Sequence, residues 1–225
     1  MRINLSKILG FNAGYVDTAS FLGIHGLFAA HVTGNFVTLG AALTSGNQNG
    51  AWAKLLALPM FCLVVFSVKL IDRSYLKASK SSYNFLLKLM FFLFTVAAVI
   101  SIEYLPFPQT DTWPSFIVGM LLVAAMSIQN AVHRLHWTKE APTTVMTGST
   151  TQMMLDAADW FSQPSEEKKE QIRKRFSTVL PTMLSFALGC AVAALVYKFA
   201  LIWLFVIPPV LMLASYWKKE DYIKN

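Results

Sequence analysis

Four short stretches hold residue types that could do chemistry: Asp17, the triplet Thr33-Gly34-Asn35, the pair Gln129-Asn130, and the triplet Thr147-Gly148-Ser149. Asp17 interrupts an apolar run, and a carboxylate in hydrocarbon costs about 2.5 to 3.5 kcal/mol on insertion scales, so it must face the inside of a helical bundle. There it serves either ion or proton coupling and solute contact in a central cavity, or a buried hydrogen bond that fixes packing. Gln129 and Asn130 are cheaper to bury and have the same two options, solute contact or interhelical hydrogen bonding. Each Thr-Gly triplet heads a short apolar segment. A helix starting there presents unpaired backbone N–H groups, which the Thr33 and Thr147 hydroxyls could cap, while Gly34 and Gly148 permit close approach of backbone or ligand.

Other polar residues carry weaker signals. His25, His31, His133 and His136 all precede a Thr-Gly triplet. The two pairs are expected at opposite membrane faces, however, and two ligands do not make a metal site, so no metal is expected. Asp156 is expected to line a cytoplasmic vestibule and Asp159 to face water. Cys62 and Cys190 sit in apolar runs as small hydrophobes, with no redox or metal role.

These residues require a membrane scaffold. Of 225 residues, 55% are hydrophobic and 14% charged, against roughly a quarter charged in soluble domains. The net charge of +7 is gathered in short clusters between apolar runs, which is a topology signal and not a nucleic-acid footprint. The amino-terminal apolar run lacks a clean small-residue cleavage site, so it is expected to be retained.

The apolar segments, lettered A to H, cover 8–28, 33–43, 51–71 and 85–102, then 115–133, 147–161, 179–197 and 199–217. B and F are too short and polar to cross a core of about 30 Å; the alternative, both as full spans, puts a basic loop on the wrong face in each half. Short cytoplasmic loops collect Lys and Arg. Arg2 and Lys7, then Arg73, Lys77 and Lys80, then Lys168 to Arg175, then Lys218, Lys219 and Lys224 therefore mark the inside, and the acidic 103–114 connection marks the outside. All basic residues except Lys54 and Lys198 then fall on or near the cytoplasmic side. The expected fold is an all-α integral membrane protein forming one membrane domain. It has about six transmembrane helices, two re-entrant half-helices and cytoplasmic termini.

The two halves, about 8–103 and 114–217, repeat one pattern: a long segment with a polar site, a Thr-Gly triplet some 16 or 17 residues later, a short segment, then two long ones. An odd number of crossings in each half makes them inverted relative to one another, with the half-helices entering from opposite faces. Gly10 and Gly14 in A, and Gly189 and Ala193 in G, are spaced for close helix packing. The 166–175 stretch reads as a solvated helix leading into G.

Gly14-Tyr15-Val16-Asp17 with Thr33-Gly34-Asn35, and Gln129-Asn130-Ala131 with Thr147-Gly148, resemble the YoaK family of multipass bacterial membrane proteins, a domain-of-unknown-function family. The likeness runs over nearly the whole chain and implies about six spans in a bacterial inner membrane, with no substrate attached.

The leading expectation is a transporter or channel for a small polar or anionic solute, proton-coupled through Asp17, with its pathway between the two Thr-Gly half-helices. A membrane-embedded enzyme and a structural or assembly protein are the alternatives. The chain has no H-E-x-x-H, G-x-S-x-G or phosphate-binding G-x-x-x-x-G-K-[ST] pattern, so no catalysis and no cofactor is expected. The expected partners are the solute or ion, the bilayer, and a second copy shielding the half-helices in a homodimer.

Overall fold

The computed structural model describes residues 5–45, 49–108, 110–138, 140–144, 146–162 and 165–218, with only the backbone of 45 and 216–218. Of the basic inside markers, Arg2, Lys219 and Lys224 lie outside the described residues. The elements run α1 (Leu5–Gly23), α2 (Gly34–Ser45), α3 (Ala51–Lys77), α4 (Tyr83–Tyr104), α5 (Trp113–His136), α6 (Thr147–Phe161), α7 (Glu166–Phe199), a 3₁₀ turn (Leu201–Trp203) and α8 (Ile207–Lys218). Among the described residues all regular structure is helical.

Four helices, α3, α4, α5 and α7, are long and apolar enough to cross a bilayer. α2 and α6, with 12 and 15 residues, reach only about 18 and 22 Å at 1.5 Å per residue, and they occupy segments B and F almost residue for residue.

Local chemistry sets the boundaries. Segment A ends as a helix at Gly23, because the next turn carries His25 and Gly26 in the left-handed region, at φ 46 and 80, where only glycine is unstrained. Thr112 and Ser115 form a capping box at the start of α5. Ser165 caps α7, with Glu166 and Glu167 in its first turn, and the solvated 166–175 helix runs on into segment G as one rod. Segment H departs from the single long helix expected of it. Pro208 and Pro209 lack backbone N–H groups and are tolerated only at a helix start, so the run breaks into the 3₁₀ turn and a 12-residue α8.

Packing follows a scheme that survives exchange of the two halves. α1 packs on α7 and α8, and α5 packs on α3 and α4; α2 lies on α3, and α6 on α7; α1 touches α5, and α4 touches α8. Replacing each of α1 to α4 by its counterpart four helices on returns the same set of contacts.

The closest crossing is α1 on α7. A Cβ at Gly14 would strike the Phe186 carbonyl oxygen, and one at Gly189 would strike the Phe11 carbonyl oxygen. The two backbones therefore meet through reciprocal glycines, as the small-residue spacing predicts, and Ala193 is fully buried beside them. With this face against α7 and others against α5 and α8, α1 is buried through most of its length. The polar residues that lower its hydropathy face protein, which is how so polar a helix is tolerated.

Gly14→Ala is expected to destabilise the purified protein by about 1 to 3 kcal/mol, the usual cost of overpacking. Gly40→Ala is its control, since nothing lies within 4 Å of a Cβ there, and a helix gains up to about 1 kcal/mol from Gly to Ala. Melting in detergent should drop for the first and stay level or rise for the second.

Candidate functional site

Asp17 lies on α1 and is 5% exposed. Its Oδ1 accepts hydrogen bonds from the Ala30 N–H at 2.8 Å and the His31 N–H at 3.2 Å, and its Oδ2 stands 2.6 Å from His31 Nδ1. One carboxylate thus gathers two backbone donors and a ring nitrogen from the α1–α2 loop. Asn35, also buried, clamps the same loop: its Nδ2 donates to the Phe28 carbonyl and its Oδ1 accepts from the Phe28 N–H, both at 2.8 Å. The Phe28 ring lies over Gly34, 3.0 Å from where a Cβ would stand, and pairs with Phe21 at 4.8 Å between centroids. Thr33 is exposed, and its carbonyl accepts from the Phe36 N–H.

The second half repeats the arrangement with the amides of Gln129 and Asn130 in place of a carboxylate. Gln129, fully enclosed, donates from Nε2 to Thr143 Oγ1 at 3.0 Å and to the Leu9 carbonyl of α1 at 3.1 Å. Thr144 Oγ1 donates to Asn130 Oδ1 at 2.5 Å, and Asn130 Nδ2 donates to the Met126 carbonyl. The ring of His133 meets the Glu140 carbonyl at 3.2 Å, and Ser6 of α1 donates to the Glu140 carboxylate. Asp17 is separated from His31, Gln129 from Thr143, and Asn130 from Thr144 by the same 14 residues. A polar side chain on a long helix therefore holds the following loop in place just before each Thr-Gly triplet.

The second triplet differs from expectation in two respects. The N-cap of α6 is Met146, without a side-chain cap, so the Thr147 hydroxyl does not cap that turn. Close approach at glycine holds for Gly34 alone, because nothing lies within 4 Å of a Cβ at Gly148. Gly148 and Ser149 instead line a cavity of about 580 Å³ with Gln152, Lys174 and Arg175. Arg175 pairs with Asp156 at 2.6 Å, and Gln152 donates to the same carboxylate at 3.0 Å. Asp156 is buried at this vestibule, while Asp159, half exposed, pairs with Lys168 at 2.7 Å.

A family profile described as "Protein of unknown function (DUF1275)" matches residues 5–217. The chain belongs to this family. It is 27% identical over 197 residues to the UPF0700 transmembrane protein YoaK of Bacillus subtilis (strain 168), covering 86% of this chain and 83% of that protein. No solved structure matches it. The family resemblance carried by the paired Thr-Gly triplets is thereby established, and with it a membrane protein.

For this DUF1275 member the sequence reading missed two polar clusters. Asp72 of α3, 3% exposed, accepts from Ser82 Oγ at 2.7 Å and lies 3.4 Å from both Lys69 Nζ and His136 Nε2, joining α3, α4 and α5. Its position beside Arg73 at a segment end made it look like a boundary residue, although Ser82 and His136 follow at the ends of two neighbouring segments. At the other end of α3, Lys54 is buried and donates to the Asn49 carbonyl at 3.2 Å, while the Gly50 N–H donates to Asp111. Beside them a cavity of about 710 Å³ is walled by His25, Trp52, Trp113 and Phe116. The basic residue that the topology placed outside is therefore held by polar partners from neighbouring loops.

The hydrogen bond to Asp17 holds the imidazole of loop residue His31 above its ordinary pKa of about 6.5, outweighing the opposing effect of burial. A raised folded-state pKa contributes stability that is fully present below the unfolded value and is lost as pH rises through the folded one. The melting difference between the natural chain and His31→Gln should therefore be widest near about pH 5 and close by about pH 9. A gap that stays constant across this range would mean that His31 does not titrate against Asp17.

Proposed function

We propose that this chain is a transporter or channel for a small polar or anionic solute in the cell membrane, with its path between two loop-and-short-helix units related as inverted repeats. The observation that carries the reading is the pair of loops tied at equal spacing to Asp17 and to Gln129-Asn130. The contact scheme that survives exchange of the halves supports it. Irregular backbone at membrane depth is tolerated where it is buried in protein or lines an aqueous cavity, and paired broken segments are a recurrent way to build a solute site. The cavity at Gly148 and Ser149 then forms the cytoplasmic vestibule, lined by Glu140, Lys174 and the Arg175 that pairs with Asp156. Asp17 with His31 is the protonatable part of the path. A second copy of the chain covers α2 and α6, whose Val37, Leu43, Leu155 and Phe161 are exposed.

In proteoliposomes Asp17→Asn should insert and fold, because an amide keeps the shape and the acceptor for the loop N–H groups. Uptake or its pH dependence should fall by about tenfold or more, the equivalent of about 1.4 kcal/mol. Gly34→Leu and Gly148→Leu should each block uptake, the first by displacing Phe28 and the second by filling the vestibule. A folded Asp17→Asn with normal pH-dependent uptake would remove the carboxylate from the path.

Orientation is tested separately, in a background carrying Cys62→Ala and Cys190→Ala. Thr110→Cys should react with a membrane-impermeant thiol reagent applied outside, and Ser81→Cys should react only after permeabilisation. The reverse pattern would turn the protein over, placing its termini outside.

A further inference from the structure

Asn12 of α1 and Gln129 of α5 are both 0% exposed. Three of their amide atoms, Asn12 Nδ2, Asn12 Oδ1 and Gln129 Oε1, have no hydrogen-bond partner. The other Gln129 amide atom is engaged, since Nε2 reaches the Leu9 carbonyl and Thr143. Those two acceptors also fix the amide's orientation, as an oxygen turned toward the Leu9 carbonyl would be repelled. Leu9 and Asn12 are three residues apart, hence on one face of α1. Gln129 therefore meets α1 at Leu9, one turn before Asn12 on the same face, where the two halves of the protein touch through α1 and α5.

On the same two helices Leu5, Leu9, Val16, Met126, Ile128 and Val132 are all buried and apolar. An enclosed amide with no hydrogen bond is unfavourable by about 2 to 7 kcal/mol, and a leucine at position 12 would remove that penalty. Such a cost is accepted where a ligand satisfies the group.

We propose that Asn12 and Gln129 form the central subsite for a small uncharged amide or alcohol, which donates to Asn12 Oδ1 and Gln129 Oε1 and accepts from Asn12 Nδ2. An anion would face two carbonyl oxygens, and a cation would leave the Asn12 N–H₂ unmet with no free carboxylate to balance its charge, since Asp17 is committed to its loop. Gln129 also holds the α5–α6 loop through Thr143, and Asp17 holds the α1–α2 loop from the same helix as Asn12. The occupant and the α5–α6 loop therefore share one side chain, Gln129. This inference rests on the transport reading and narrows its solute to the uncharged class.

The test uses the full chain in proteoliposomes, with stopped-flow light scattering to follow equilibration of acetamide and of glycerol. Sucrose gradients report water alone, and radiolabelled anion uptake runs in parallel. The natural chain should equilibrate acetamide or glycerol faster than empty liposomes do. Asn12→Leu, which removes two of the three hydrogen bonds to the solute, should slow it about tenfold or more, while melting at the same temperature or higher. Three results would each overturn the subsite: unchanged solute flux in Asn12→Leu, a lowered melting temperature showing that the amide stabilises the fold, or acceleration of water only. Anion uptake without acetamide or glycerol movement, unaffected by Asn12→Leu, would sink this inference and leave the transport reading standing. No flux of any probe above empty liposomes would sink both.

Discussion

Backbone that leaves the helix inside a membrane bundle must find its hydrogen bonds within the protein, because hydrocarbon offers none. Under the transport reading the two loops that precede α2 and α6 are such backbone, and side chains from the neighbouring helices satisfy them. Asp17 and Asn35 supply the first loop, and Gln129, Asn130 and His133 the second. These side chains must come from helices that are themselves shielded from lipid, which explains why α1 and α5 are the most enclosed of the long helices. Polar anchors need a protected helix, and a protected helix needs neighbours on every side.

The glycines of α1 and α7 answer that need. Gly10 and Gly14 bring α1 against Thr182 and Phe186, and Gly189 returns the contact against Phe11. Helix association in lipid lacks a hydrophobic driving force and depends on van der Waals contact at short range. Close approach there leaves the remaining faces of α1 to α5 and α8. The division of labour is visible in composition: α3, α4 and α7 turn large apolar side chains such as Leu63, Phe92 and Leu184 to the outside, while α1 keeps Asn12, Asp17 and Ser20 in.

How much of this was legible follows from what sets each feature. The helical segments were, because hydropathy and length act along the chain, and the starts of α2 and α6 fell at the Thr-Gly triplets. The break at Pro208-Pro209 was also written in the sequence, though hidden by the apolar run around it. The site was legible as a set of residues but not as a set of contacts. Asp17 was recognisable as a buried carboxylate, yet its partners lie across a loop whose path depends on Gly26, Phe28 and Asn35 together. Hydroxyl capping at the triplets followed from local rules that apply when a helix start faces water or is free to choose its cap. Here Asp17 and Asn35 organise the first turn's approach, and Met146 precedes the second. Asn12 gave no signal at all, because one amide in a helix looks the same whether or not it finds a partner.

The two anchors are alike in position and unlike in chemistry, and the difference bears on mechanism. The tie to the first loop combines a carboxylate with an imidazole, so its strength changes with protonation of His31. The ties that Gln129 and Asn130 make to the second loop run between amides and hydroxyls, which do not titrate in any accessible range, beside a separate contact of the His133 ring with the Glu140 carbonyl. A proton on His31 therefore tightens one loop and leaves the amide ties of the other unchanged, and a repeat built from identical anchors could not separate the two events. Under the transport reading this gives the protein a side: acidity acts on the loop held by Asp17, whereas the loop held by Gln129 responds to whatever engages that amide's free oxygen. Opening on one side is then governed by charge and on the other by occupancy, and a path whose two closures answer to different variables can avoid being open to both sides at once.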